Sequence, residues 1–354
     1  MNNLLIPAAG ASSRFPNMKL KWLLTHPTGG LVIEKVLEPF DLSKYDRVIL
    51  TVLREHEEKY SISTIIKQIK WTKQPIPKVE LCILEQKTSS AVETVQQSID
   101  IMGLTGHLTI KDSDGVIESD FPLSKNYVCG CKASQFNIRE IHNKSFIVHN
   151  ENSTILDIQE KNVVSDVVCL GVYSMKIDDF KWAYESIKSS LAYRYENEMY
   201  VSHIVSYLIE SGVVFECQYV NDFKDWGTLQ VWREEQNKYK TFFLDIDGVF
   251  LYNTGPYGEK TWYNTLEPIE ENVQYLKRLS DEGHQLIFTT SRNEWAADQF
   301  RQFLDKREIK YKQIVTDCYH SQRIIINDFA PTNPYPSCQA ISIPRNSLLG
   351  DYIK

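Results

Sequence analysis

Short apolar runs alternating with amphipathic stretches are the feature that most constrains the fold of this chain. Residues 4–6, 48–52, 79–84 and 108–110 read as buried strands, and segments 55–70 and 90–102 carry apolar residues at helical spacing. Such alternation predicts an α/β fold with a largely parallel sheet covered on both faces. Ligands of open sheets of this kind bind beyond the carboxyl ends of the strands, so the loops that follow strands are where chemistry is sought. A second alternating series starts at Lys240, with strand 241–245, helix 268–280 flanked by Pro268 and Gly283, strand 285–289, helix 293–306 and strand 323–327 beside Asp328. The polar stretch 232–240 reads as a helical connector, which gives two domains, 1–238 and 239–354.

Composition removes several classes of function. The 354 residues carry 39 Lys+Arg against 46 Asp+Glu, a net charge of −7, which is not the field of a nucleic-acid or anionic-membrane binder. The 19 Tyr and 7 Trp come without a basic patch, so base stacking is not indicated. No stretch approaches the roughly 18 apolar residues of a membrane span. The opening Leu-Leu-Ile-Pro-Ala-Ala-Gly-Ala-Ser fails as a secretory leader, because no Lys or Arg precedes it and Pro7 interrupts the apolar run. Seven scattered cysteines do not form a disulfide framework, which makes a reducing cytoplasm the expected location. Cys129-Gly-Cys131 lacks a second pair at zinc-ligand spacing, and the eight His show no metal grouping. Homo-oligomerisation stays compatible with the sequence.

After the first strand comes a loop of small residues, Ala8, Ala9, Gly10, Ala11, Ser12 and Ser13, followed by Arg14 and then Lys21. Successive amide N–H groups in such a loop can cradle phosphate oxygens, and the two cations add charge. The order of residues resembles the signature of sugar nucleotidyltransferases, in which a strand leads into a Gly-rich stretch, an Arg and a Pro-Lys pair. Here Ser12 replaces a usual Gly, and Leu20 replaces the Pro. Further segments match in family order: Glu85 to Val95 with Ser89 and Ser90 near the nucleobase, Asp112-Ser-Asp114-Gly115 after a strand, Glu160-Lys161, and Asp225-Trp-Gly-Thr228. Ser90 serves equally well as the N-cap of an ordinary helix with Glu93 at N3. The resemblance implies a Rossmann-like, GT-A-like mixed sheet, with Asp114 and Asp225 holding one or two Mg²⁺ ions. It also implies that Asp112, Glu160 and Lys161 bind the sugar, and that Arg14 and Lys21 stabilise the triphosphate.

Asp245-Ile-Asp247-Gly248 after a buried strand resembles motif one of the haloacid dehalogenase superfamily phosphatases, and the resemblance spans about 110 residues. It implies a smaller Rossmannoid domain with little or no cap, Tyr252 to Trp262 forming a flap. Asp245 would be the nucleophile, Asp247 the acid and base, and Thr290 the phosphate-binding hydroxyl. Arg323 would be the basic residue, with Lys310 and Lys312 as alternatives, and Asp245, the backbone carbonyl of Asp247 and Asp328 would hold one Mg²⁺.

Together the resemblances imply a bifunctional enzyme that supplies an activated sugar for a capsule or other surface polysaccharide. One domain transfers a nucleotidyl group from a nucleoside triphosphate, CTP favoured, to a sugar or polyol phosphate, and the other hydrolyses a phosphate monoester. Two alternatives remain open: a glycosyltransferase that uses Asp112-Ser-Asp114 to hold the metal of a nucleotide sugar, and an idle nucleotide-sugar-binding scaffold.

Overall fold

The structure is a computed structural model that describes residues 1–10, 15, 18–69, 71, 79–136, 138, 140–190, 198–256, 266–330 and 335–353. The chain separates into two compact units, Met1–Trp232 and Arg233–Lys354.

In the first unit β1 (Asn2–Pro7), β2 (Arg47–Leu53) and β3 (Val79–Leu84) lie parallel in that spatial order, and β4 (His107–Lys111) pairs parallel with the other edge of β1. Helices α1 (Val32–Leu37), α2 (Arg54–Tyr60), α3 (Ile62–Gln68) and α4 (Ala91–Met102) fall among them. The chain continues through β5 (Gly115–Glu118), β6 (Tyr127–Lys132), β7 (Ser145–His149), β8 (Ile155–Glu160) and β9 (Val167–Lys176). After α5 (Ile177–Ser189) and α6 (Val201–Glu210) come β10 (Glu216–Tyr219), β11 (Asp222–Asp225) and α7 (Leu229–Lys238), within which the division between the units falls. The main sheet runs β10-β6-β9-β4-β1-β2-β3, with β7 and β8 attached through β9.

β9 is antiparallel to both β4 and β6, so the sheet is mixed, as the family resemblance implies, and not largely parallel, as the alternation alone suggests. Buried strands read as apolar runs whichever way they point, which is why their direction is silent in the sequence. Side-chain alternation builds a core on each face: Leu5, Ile49 and Leu108 pack on one side with Val92 of α4 and Phe180 of α5, whereas Leu4, Ile6 and Leu50 pack on the other with Trp22 and Phe40.

The helix expected over 55–70 is broken at Ser61, which takes a left-handed conformation (φ 51°) and donates its N–H to Glu57 O. The Glu57 carboxylate then accepts the Ser63 N–H at 2.9 Å, so one side chain caps the second helix and fixes the break.

The second unit has a three-stranded parallel sheet, β12 (Thr241–Leu244), β13 (Gln285–Thr289) and β14 (Gln313–Val315), with α8 (Glu270–Asp281) and α9 (Glu294–Lys306). Phe288 anchors its core between Phe250 and Phe300, the ring centroids 5.8 and 5.1 Å away. Asn293 caps α9 by accepting the Ala296 N–H. The strand expected over 323–327 does not form. Ile324, Ile325 and Ile326 are 75%, 51% and 91% exposed, and the third strand is β14 instead. A run of isoleucines suits a strand only where a neighbouring surface covers it, and here none of the described residues does so.

Candidate active site

At the end of β1 the Ala8 N–H donates to Thr51 O, which ties the start of the loop to β2. Ala8 and Ala9 are buried, while Gly10 is exposed, and among the described residues beyond its chain neighbours none has an atom within 4 Å of the place where a Cβ would sit. Ala11, Ser12, Ser13 and Arg14 lie outside the described residues. Lys21 opens a short 3₁₀ turn, Lys21–Leu23, whose neighbours Leu20, Trp22 and Leu23 are buried. Packing of Leu20 thus anchors Lys21 where a proline would have done so through backbone rigidity.

Beyond β4 the chain passes through Asp112, Ser113 and Asp114 into β5, which pairs antiparallel with β11. In that ladder Asp225 stands opposite Gly115, and the Trp226 N–H donates to Asp114 O at 2.9 Å. Two carboxylates about 110 positions apart in sequence are therefore neighbours across one ladder. Asp114 is ion-paired with Lys21, and Asp225 Oδ2 lies 2.5 Å from Lys144 Nζ. Asp225 Oδ1 also accepts the Gly227 N–H, which gives the Asp225-Trp-Gly-Thr228 element its local shape.

Asp112 is held from below. Its N–H donates to Gly171 O, and Gly171 sits at φ +74°, where a Cβ would come within 2.0 Å of Asp112 Oδ2. A glycine inside a strand marks such a close approach. Fully buried Lys111 donates its Nζ to Asp112 O at 2.7 Å. Burial and the charge of Asp114 raise the Asp112 pKa above the ordinary carboxylate value. Burial also opposes ionisation of Asp114, but the Lys21 ammonium outweighs it and holds that carboxyl well below the usual range. Burial lowers the Lys111 pKa; at Lys144 burial is overcome by Asp225, and the pKa rises.

Lys21, Asp112, Asp114, Lys144, Gly171 and Asp225 line an open pocket of about 590 Å³. Ser89 and Ser90 line it as well. Ser90 accepts the Glu93 N–H and so caps α4, and the Glu93 carboxylate accepts the Ser89 N–H and hydroxyl, both at 2.6 Å. Glu160 lines the pocket and accepts hydroxyls from Ser145 and, at 2.7 Å, from Ser202. Lys161 adopts a left-handed backbone (φ 54°), binds the hydroxyl of Tyr200, a residue of the pocket wall, and lies over that ring at 4.3 Å. Trp22 and Trp226 are 1% and 4% exposed and belong to cores, with Trp22 also touching the pocket wall.

Lys111, Lys144, Ser145 and Ser202 are pocket or support residues that motif reasoning misses. Lys144 stands just before β7, in a segment without motif character. The only sequence sign of the Asp112 cradle is Gly171 within the apolar run Cys169-Leu-Gly-Val172.

Mg²⁺ takes one or two protein carboxylates and draws its other ligands from water and phosphate. Asp114 and Asp225 supply that pair of hard oxygen donors, so the residues fit the ion. No three His, Cys, Asp or Glu side chains among the described residues form a group that could hold a metal. In the second unit the expected ligands are two side chains, Asp245 and Asp328, and the Asp247 carbonyl, a set smaller than such a group. The Asp247 carboxylate is clamped by buried Arg292, with its oxygens 2.6 and 2.9 Å from Nη2 and Nε, and Asp328 is exposed on a stretch that no strand positions.

Asp245 and Thr290 follow β12 and β13, adjacent parallel strands paired Leu244 to Phe288, and so stand at the same sheet end. Burial raises the Asp245 pKa against the opposing charge of Arg323, whose Nη2 is 3.2 Å from Asp245 Oδ1. Thr290 is buried and its hydroxyl oxygen accepts the Arg292 N–H at 3.1 Å. Of the expected flap, residues 257–262 lie outside the described residues.

No helix among the described residues is long and apolar enough to cross a membrane. No protein-family model matches the chain. No curated protein matches its sequence. Solved structures do resemble it. A nucleoside-diphosphate-sugar pyrophosphorylase from Vibrio cholerae RC9 aligns at a TM-score of 0.57 and 20% identity, over 66% of this chain and 99% of its own. An inositol-1-phosphate CTP transferase from T. maritima aligns at 0.51 and 11%, over 67% and 95%. A putative glucose-1-phosphate thymidylyltransferase from Bacillus anthracis aligns at 0.51 and 14%, over 67% and 94%. Over about 66% of its length, a share the size of the Met1–Trp232 unit, the chain therefore has the fold of sugar nucleotidyltransferases.

Proposed function

We propose that the first unit transfers a nucleotidyl group from a nucleoside triphosphate to a sugar or polyol phosphate and releases pyrophosphate. The observation that carries this reading is the meeting of Asp114 and Asp225 at the end of the β5–β11 ladder, where Asp225 pairs with Gly115 and the Trp226 N–H reaches Asp114 O, each carboxylate met by a lysine in the pocket they line with Ala8, Ala9 and Gly10. In the reaction a phosphate oxygen of the acceptor bonds to the α-phosphorus, and the bond from that phosphorus to the oxygen bridging to the β-phosphate breaks. Both reactants are anions, and their repulsion is the main obstacle to the in-line geometry. Mg²⁺ held by Asp114 and Asp225 would supply charge neutralisation between the phosphates. Lys21 would stabilise the triphosphate and the departing pyrophosphate, Ser89 and Ser90 would border the nucleotide, and Asp112 and Glu160 would accept hydroxyls of the acceptor. Proteins of similar fold that are named for UDP-glucose, CTP and thymidylyl transfer support no single base, so CTP is only the first nucleotide to test.

The test is a matrix of four nucleoside triphosphates against a panel of sugar and polyol phosphates, read by pyrophosphate release. Release with one pair, lost in Asp225→Asn, supports the reading. Glycosyl transfer from a nucleotide sugar, with no release from any pair, would favour the glycosyltransferase alternative, and inactivity in both assays would favour a binding scaffold.

A second activity, hydrolysis of a phosphate monoester by the second unit, is favoured by the placement of Asp245 and Thr290 at one end of the parallel pair. Asp245 would attack the phosphorus as the bond to the leaving oxygen breaks, Asp247 would protonate that oxygen and then take a proton from the water that cleaves the aspartyl-phosphate, and Arg323 would meet the phosphate, with the Asp247 carboxylate oriented by Arg292. Hydrolysis of p-nitrophenyl phosphate by the full-length protein, abolished in Asp245→Asn, is the expected result. Paired in this way the two activities would supply an activated sugar to surface-polysaccharide synthesis.

A further inference from the structure

Two ammonium groups already stand on the two carboxylates assigned to the divalent cation. Lys21 reaches Asp114 from the turn after the β1 loop, and Lys144 reaches Asp225 from the residue before β7. The side chains of Lys144 and Asp225 are 28% and 22% exposed, so the pair is more desolvated than a surface ion pair and correspondingly harder to ignore. A cation that takes Asp225 Oδ2 must displace the ammonium 2.5 Å from that oxygen. The displaced charge then sits in a pocket built for phosphate.

On the reading that this pocket binds a divalent cation and phosphates, we infer that Lys144 is a built-in counter-ion of the metal site. It neutralises Asp225 in the empty pocket and passes to a substrate phosphate when the cation enters. Cation and phosphate binding are thereby coupled, because each relieves the other's competition for the lysine, and linkage makes the coupling reciprocal. Lys144 is a positioning residue in this scheme, and the element that carries it, the Asn143-Lys144-Ser145 junction, is distinct from the β1 loop.

The experiment measures Mn²⁺ binding to the full-length protein by the electron paramagnetic resonance of free Mn²⁺, with and without methyl phosphate, against protein-free blanks. In the wild type, methyl phosphate should tighten Mn²⁺ binding about 5-fold or more, the lower end of ordinary coupling between two sites. Lys144→Met should bind Mn²⁺ more tightly than the wild type without phosphate, by about the same factor, and respond to methyl phosphate by less than about 2-fold. Lys144→Gln carries the same expectation should the methionine variant not fold, and Lys144→Arg should behave as the wild type. Mn²⁺ binding that is lost in Asp225→Asn yet unchanged in Lys144→Met and Lys144→Gln overturns the inference alone. Wild-type binding no better than that of Asp225→Asn overturns the metal reading of the pocket, and the inference with it.

Discussion

Gly171 lies within β9 at φ +74°, and a methyl group placed on its Cα would sit 2.0 Å from Asp112 Oδ2 and 2.6 Å from its Cγ. Gly171→Ala therefore acts twice. The left-handed backbone costs a residue with a Cβ about 1–2 kcal/mol, and the carboxylate must leave its position, since no contact between non-bonded atoms is that short. Gly103 isolates the first effect: it caps α4 at φ +58° with nothing within 4 Å of the place a methyl would take, so Gly103→Ala carries the backbone cost without a clash. For a unit of this size 1 kcal/mol moves the melting temperature by about 2–4 °C, so Gly103→Ala should melt about 2–8 °C lower at unchanged turnover. Gly171→Ala should melt lower still and lose turnover by about 10²-fold, the scale of a misplaced contact in an active site. Scanning calorimetry and pyrophosphate release measure the two quantities on the same preparations. If Gly171→Ala matched Gly103→Ala in melting temperature and kept wild-type turnover, neither the cradle around Asp112 nor its part in the reaction would survive.

Other substitutions separate the remaining roles. Asp225→Asn should keep the fold and lower pyrophosphate release by about 10²-fold or more; near-wild-type release would remove Asp225 from the mechanism. Phe288→Ala, which empties the ring cluster of the second unit, should destabilise that unit by about 3–5 kcal/mol in chemical denaturation, and a loss below about 1 kcal/mol would contradict the packing described. Burial lowers the pKa of both His56 and His107. The unfolded chain, with His near 6.5, then binds more protons than the folded one as pH falls below that value. This part of the stability is complete above about pH 6.5 and drains away as acid takes the pH down towards the folded values. The denaturant midpoint should drop between about pH 7.5 and 5.5, and less in His107→Gln; equal drops in both proteins would show that His107 takes no part.

Much of the site was legible because it lies on strand ends. Residues 4–6 and 108–110 declare themselves as buried strands, and whatever follows a strand in an open sheet arrives at its carboxyl edge, so Ala8, Asp112 and Asp114 could be placed at a site from order alone. Ser90 was legible as a cap through Glu93 at N3, a relation within one helical turn. The strand expected over 323–327 failed for want of a partner. The isoleucines at 324–326 have strand composition but no partner surface, and Asp328 therefore lost the strand that was to position it.

Local pattern and composition by themselves determined an acidic α/β chain with two alternating series and carboxylates after its strands, since periodicity and turn chemistry act over a few residues. Only the tertiary structure decided the direction of β9, the meeting of Asp114 with Asp225, and the arrival of Lys144 and Gly171 beside them. Those contacts join positions dozens to more than a hundred residues apart, and ladder register, close packing and charge pairing select them only once the chain has closed on itself.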